Sequence, residues 1–350
     1  MLVPLVTIGR TLEMKALHYS AWGKLEFQDL AVPQIGEGEV LLRVLSCGIC
    51  GSELESFKHS SHRRTPPLIM GHEFCGVVEQ VQGEDRHSWQ GRCVLCHAVV
   101  HCGQCSACRR GDTNLCACRQ VFGMHRPGGF AEYVAVPERV LLPWPENLPD
   151  DSAIFTEPLS NGINAMRQGG AARRSRVVII GAGPIGLMCL FAARRLHQSS
   201  VIISDPIPVR LDAARLLGAE VSVNPLQQDL DAESRKHWGG ERAEFIIDAV
   251  GSTETKQLAL DLLEPGGTAV WLGLREDAIS LNSYSLTLGQ KCLSGSYSGS
   301  LQDLRLAAQI LSEGNLDTSW VSRYPIEQGE TGFRELLRPD ANKIKVVLQF

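Results

Sequence analysis

Four cysteines, Cys102, Cys105, Cys108 and Cys116, form a C-x₂-C-x₂-C-x₇-C run within fifteen residues. Thiolates spaced this closely suit a single zinc ion, which takes soft ligands at the corners of a tetrahedron. Gly103, Gly111, Asp112 and Asn114 supply the turn chemistry for a chain folded tightly around one ion. The twelve cysteines occur without a secretion signal, so a reducing compartment is expected and the run reads as a metal site rather than as disulfides. By itself such a lobe is structural and says nothing about catalysis.

A second constellation binds a ligand. The apolar run Val177-Val178-Ile179-Ile180 leads into Gly181-Ala182-Gly183-Pro184-Ile185-Gly186, and a helix-like stretch follows from Leu187 to Leu196. In strand–loop–helix context, Gly181 permits the tight turn, Gly183 lets backbone approach a pyrophosphate, and Gly186 allows close helix–strand packing. Pro184 and Ile185 open the helix, whose N-terminal N–H groups face the phosphates. Asp205 ends the next strand, nineteen residues after Gly186. An acid there accepts hydrogen bonds from ribose hydroxyls and repels a 2′-phosphate, so NAD is expected rather than NADP. Arg210 is either a cover for the adenine or a solvated helix residue.

Elements able to position these groups are visible in outline. At 350 residues the chain is long enough for two domains. The first 150 residues read as short β segments, Val40–Val44, Gly76–Val81, Arg92–Val100 and Phe130–Val136, and predict a barrel-like all-β domain. A linker and helix are expected over Asp151–Gln168. From Val177 onward, strands alternate with helix-length stretches, which predicts a doubly wound parallel sheet of the Rossmann type. A last strand of that sheet is expected at Lys291–Gly295, then a helix near Leu301–Glu313 and a terminal strand from Lys345 to Phe350. A net charge of −5 without a basic stripe argues against nucleic acid as the main partner, and no apolar run approaches a membrane span. Met1–Glu13 lacks the basic start of a secretory signal, so a cytoplasmic protein is expected.

The Cys₄ run resembles the structural-zinc lobe of the zinc-dependent medium-chain alcohol and polyol dehydrogenases, and further landmarks extend the resemblance over nearly the whole length from Met14. They are Gly71-His72-Glu73, Gly128-Gly129-Phe130-Ala131-Glu132-Tyr133, Thr156-Glu157-Pro158-Leu159-Ser160 and Glu264-Pro265-Gly266-Gly267. The resemblance implies a discontinuous, mainly β, GroES-like catalytic domain (14–158 and 297–350), a Rossmann domain (159–296) and an N-terminal extension (1–13). It implies two zinc ions per chain, one structural and one catalytic. In Cys47-Gly48-Ile49-Cys50-Gly51-Ser52-Glu53, Cys50 rather than Cys47 matches the first catalytic ligand, and His72 matches the second. Glu73 and Glu157 compete for the third place. Ser52 matches the hydroxyl that takes the proton from the substrate alcohol. The implied activity is hydride transfer from a secondary alcohol (a polyol, a sugar alcohol or its phosphate) to NAD. Threonine-type amino-alcohol oxidation is one alternative, and a non-catalytic NAD-binding zinc sensor or scaffold is another. A homodimer or homotetramer is expected, on the pattern of the family.

Two departures from the family pattern stand out. Glu53 replaces the usual aspartate, and Glu55 occupies the place of a relay histidine in many relatives. The basic segment His59-Ser60-Ser61-His62-Arg63-Arg64 is either a solvated loop or, with Arg63 and Arg64, a patch for a phosphorylated or acidic polyol. On the family's spacing Cys116 is preferred to Cys118 as the fourth lobe ligand. Cys93 and Cys96 are expected to pack on a strand, and Cys75, Cys189 and Cys292 to sit in the core.

Overall fold

A computed structural model describes residues 12–82, 86–170, 175–338 and 342–350. Two sheets carry the functional groups. The first is seven-stranded, ordered Leu141–Pro143, Cys93–Cys96, Glu73–Val81, Glu39–Gly48, Lys345–Gln349 and Val321–Pro325, with Tyr133–Pro137 also paired to Glu39–Gly48. A three-stranded sheet built on the Glu13–Ala21/Lys24–Ala31 hairpin covers it. The apolar side chains between them, among them Leu17, Val40, Leu42, Phe74, Phe130 and Val346, form one buried core. Chain ends far apart in sequence thus share one sheet: Val347 pairs with Gly48, and Gly48 with Glu73.

The second sheet has six strands, all parallel: Val221–Val223, Ser200–Ser204, Arg176–Ile180, Ala243–Asp248, Leu263–Trp271 and Cys292–Gly295. Side-chain alternation explains why its strands read as continuous apolar runs. Val177 and Ile179 face one core cluster while Val178 and Ile180 face another, so both faces of the sheet are covered. The helix Thr156–Gln168 lies against the helix Pro184–His197. They approach closely because Gly162 has no Cβ to meet the Met188 carbonyl.

Several expectations are corrected. The first 150 residues are not all β: helices form at Gly51–His59 and Ser106–Arg110. The first is a polar segment with little apolar periodicity. It is fixed by its N-terminal cap and by Phe57 packing on Phe333, with ring centroids 5.0 Å apart. The expected strand Arg92–Val100 is two, Cys93–Cys96 and Val99–Val100. Between them, the His97 ring reaches the carbonyls of Val99 and Gly299, each at 2.8 Å. The Asp151–Gln168 helix is interrupted between Ala153 and Thr156. The strand Val321–Pro325 and the amphipathic helix Gly329–Leu337 are additions to the expected elements. Cys75 and Cys189 are core residues, but Cys292 is exposed, on the edge strand of the parallel sheet. Among the described residues no helix is long and apolar enough to cross a membrane. Of the expected extension 1–13, residues 1–11 lie outside the described residues.

Candidate active site and dinucleotide site

Sheet pairing assembles the first site. The strand Glu39–Gly48 ends two residues before Cys50, which caps the helix Gly51–His59. Directly opposite Gly48, Glu73 begins the neighbouring strand, and His72 precedes it. Ligand atoms of Cys50, His72 and Glu73 all lie within 4.8 Å of one another. Gly71, at φ +100°, makes the turn into His72, and a Cβ there would collide with the Cys47 thiol and Phe130. Cys47 is fully buried and lies outside this cluster. Burial, then the charges of Glu53 and Glu73, push its thiol well above the usual range.

Each member is held from behind. Glu53, in the first turn of the helix, is completely buried and accepts hydrogen bonds from Cys50 N at 3.0 Å and Gly71 N at 2.8 Å. Its Oε1 lies 2.9 Å from His72 Nδ1, which leaves Nε2 of that ring for a metal. Burial would raise the Glu53 carboxyl, but the His72 charge and hydrogen bond and the Arg64 charge draw it down to about 2. Burial would lower His72, yet the charges and hydrogen bonds of Glu53 and Cys50 hold it well above its ordinary range, so a cation bound at this ring would have to displace a proton. The longer reach of Glu53 therefore still supplies the carboxylate that orients the histidine.

Lys345 completes the wall. It starts the terminal strand, is 1% exposed, donates to Ile49 O at 2.9 Å and is ion-paired with Glu73. Gly48 makes room for that pair, since a Cβ there would strike Glu73 and Lys345. Glu157 stands beside the three-residue cluster, in the first turn of its helix, with both oxygens 3.2 Å from Asn161 Nδ2. Burial, with the nearby Glu73 charge opposed by His72, pushes its carboxyl up to about 7. A thiol sulfur, an imidazole nitrogen and two carboxyl groups beside one lysine make an N/O/S donor set that a divalent cation fits.

Ser52 Oγ lies 3.4 Å from Cys50 Sγ. Glu55 is exposed, 3.4 Å from His59 on the next turn of the helix. The basic segment is redistributed. Arg63 is exposed, but Arg64 is 2% exposed and turned inward, so the two do not form a surface patch. Sequence reasoning missed Lys345, Asn161 and the inward Arg64. A lone lysine within Ile344-Lys345-Val346-Val347-Leu348 was the available signal, because lysine is almost never fully buried unless paired.

The lobe site is equally compact. Ligand atoms of Cys102, Cys105, Cys108 and Cys116 lie within 4.8 Å of one another. Cys105 caps the helix Ser106–Arg110, and hydrogen bonds from the backbone N–H groups of Cys108 and Ala117 draw its thiol down to about 6, favouring the ligating thiolate. Cys118 and Cys93 are exposed and stand outside both clusters.

At the head of the parallel sheet, Gly181 takes φ +97° and donates to Ser204 O at 2.7 Å. Gly183 caps the helix Pro184–His197, with Pro184 in its first turn and Ile185 following. A Cβ on Gly186 would collide with the Gly181 carbonyl, whereas one on Gly183 would project into open space. That open cradle at a helix N-terminus fits a pyrophosphate. Asp205 is buried and accepts from Ala182 N and Ile207 N, each at 2.9 Å, with Arg210 Nη1 at 3.4 Å. Arg210 thus folds back onto Asp205.

The matches to known proteins fall on the same two regions. The family description "Alcohol dehydrogenase GroES-like domain" matches residues 36–146, and "Zinc-binding dehydrogenase" matches residues 184–313. L-threonine 3-dehydrogenase of Pyrococcus furiosus is 32% identical over 266 residues, covering 75% of this chain and 76% of that protein. The chain belongs to the zinc-dependent medium-chain dehydrogenases. Within this dehydrogenase family, L-galactonate-5-dehydrogenase of Escherichia coli (strain K12) is 28% identical over 330 residues, 93% of this chain and 96% of that one. An alcohol dehydrogenase of E. coli CFT073, solved with NADH, superposes with a TM-score of 0.88 at 27% identity, covering 97% of this chain and 99% of that chain. E. coli galactitol-1-phosphate dehydrogenase superposes at 0.86 and 26% identity, covering 97% and 100%. This dehydrogenase is therefore a zinc enzyme that oxidises or reduces an alcohol–carbonyl pair with a nicotinamide dinucleotide.

Proposed function

We propose that this dehydrogenase oxidises a secondary alcohol of a polyol, sugar acid or sugar-alcohol phosphate to the ketone, using NAD. The observation that carries the reading is the convergence of Cys50, His72 and Glu73, with Glu157 beside them, within a wall backed by Glu53 and Lys345. In this reading Cys50 and His72 hold the catalytic ion, and Glu73 and Glu157 share the third place. The Cys102, Cys105, Cys108 and Cys116 thiolates hold a second, structural ion. When bound, zinc supplies Lewis acidity to the substrate oxygen and the dinucleotide accepts hydride. Ser52 takes the hydroxyl proton. Gly181, Gly183, Pro184, Ile185 and Gly186 cradle the pyrophosphate; Asp205, steadied by Arg210, accepts from the ribose and disfavours a 2′-phosphate.

The polyol-type substrate is supported by likeness to the galactonate and galactitol-phosphate enzymes along nearly the full chain. The threonine reading has likeness of the same extent, 30% identity over 338 residues to the L-threonine 3-dehydrogenase of Anaeromyxobacter sp. (strain Fw109-5), so substrate turnover decides between the two. The non-catalytic reading is disfavoured because Cys50, His72 and Glu73 converge as a metal-ligating set. The inward Arg64 also removes half of the proposed phosphate patch. We place the domain boundaries at 158/159 and 296/297, the protein in the cytoplasm, and its assembly as a homodimer or homotetramer. Exposed Tyr284 (80%) and Leu288 (83%), shortly before the edge strand Cys292–Gly295, support association.

The test is NADH formation by zinc-loaded protein with NAD and matched pairs of polyols and their monophosphates, sugar acids and L-threonine. Turnover of polyol-type members is the expected result. Turnover of L-threonine alone would replace this substrate class with the amino-alcohol one.

A further inference from the structure

Arg64 is a buried cation in a segment that otherwise reads as a surface loop. Its four hydrogen bonds go to neutral oxygens, three of them on the turn that presents the proton carrier. Nε donates to Gly123 O at 3.0 Å, Nη1 to Ser52 O at 2.9 Å and to Ser56 Oγ at 3.1 Å, and Nη2 to Ser52 Oγ at 3.1 Å. Burying a guanidinium is costly unless its donors are met, so the four bonds it makes here are a built arrangement rather than a passing contact.

The consequence lies in the valence of a serine hydroxyl, which has one proton to give and two lone pairs to receive. Arginine has only donors. Ser52 Oγ must therefore accept from Arg64, and its own proton is barred from pointing that way. The O–H donates to Cys50 Sγ at 3.4 Å, and one lone pair remains. A proton carrier needs that pair of groups: a lone pair to receive the alcohol proton and an O–H to pass one on. We propose that Arg64 is the positioning residue of the proton step, fixing the direction of the Ser52 hydroxyl while its Gly123 bond ties the catalytic turn to the 121–126 loop. This rests on the reading of Ser52 as proton carrier.

The test is a double-mutant cycle on zinc-loaded holoenzyme, using the polyol turned over fastest in the panel above and normalising rates to zinc content. Arg64→Met and Ser52→Ala should each lower kcat by about 10- to 100-fold, and the double variant should be no more than about 3-fold slower than Ser52→Ala alone. Arg64→Lys keeps a donor without the fork and should fall between wild type and Arg64→Met. In Arg64→Met the solvent deuterium isotope effect on kcat should rise while KM for NAD stays constant, a signature that general loosening would not produce. Equal losses from Arg64→Met with and without the Ser52 hydroxyl would overturn the proposal and leave the carrier reading intact. Unimpaired turnover by Ser52→Ala would overturn the carrier reading and the proposal together, as would a zinc-loaded wild type that oxidises no alcohol.

Discussion

Glu73 and Glu157 are unequal carboxylates. Glu73 already has a cation, Lys345, and removing its charge leaves that lysine buried and unpaired. Glu157 has only an amide partner, and its carboxyl stands near 7 in the metal-free chain, above the ordinary glutamate value of 4.5. A raised carboxyl opposes folding above its unfolded value, increasingly up to its folded one. Glu157→Gln should therefore stabilise the metal-free protein at pH 7 by about 1–3 kcal/mol and weaken retention of the catalytic-site ion. Glu73→Gln should instead destabilise it by about 3–5 kcal/mol, the cost of an orphaned buried charge. Thermal unfolding with and without zinc, paired with metal analysis after dialysis, checks both; full zinc retention in Glu157→Gln would remove that residue from the ligand set.

Elements turn these residues into sites through close approach, and the glycine loop separates two kinds of it. Gly186 is required by the protein itself, since a methyl there meets the Gly181 carbonyl. Gly183, at φ −70°, has a conformation any residue adopts and open space where its Cβ would stand. Gly183→Ala should fold with a melting temperature within about 2 °C of wild type, yet bind NADH at least about 10-fold more weakly, because the methyl fills the pyrophosphate cradle. Gly186→Ala should lose about 1–3 kcal/mol of stability as well as binding. NADH fluorescence titration and thermal unfolding distinguish these outcomes. Tight NADH binding by Gly183→Ala would show that the dinucleotide does not cross that loop as drawn.

The whole molecule is stitched by groups distant in sequence, and its acid stability should report them. Glu244 accepts from Ser175 N at 2.7 Å, Ser175 Oγ at 2.8 Å and Arg176 N at 2.9 Å, closing the entry to the parallel sheet. Burial would raise its carboxyl, but those hydrogen bonds and the Arg176 charge hold it below the ordinary value of 4.5. A depressed carboxyl stabilises above its unfolded value, and that contribution fades as pH falls through the folded one. Glu244→Gln should thus lower the urea midpoint at pH 7, with the gap to wild type narrowing below about pH 4.5. A constant gap from pH 7 to pH 3 would contradict that assignment. By itself the sequence determined what depends on neighbours along the chain: the cysteine spacing of the lobe, the glycine turn after an apolar strand, and the alternation that builds a parallel sheet. Each is a local pattern, because a turn or a ligand loop is specified within a few residues. Tertiary structure alone decided what depends on pairing across the chain. It brought Lys345 to Glu73 through the Gly48–Val347 register, set Glu53 behind His72, and turned Arg64 into the core while leaving Arg63 in solvent. Charge type does not encode burial, and the partners that make burial affordable for a cation lie on strands and loops that meet only when the sheet closes.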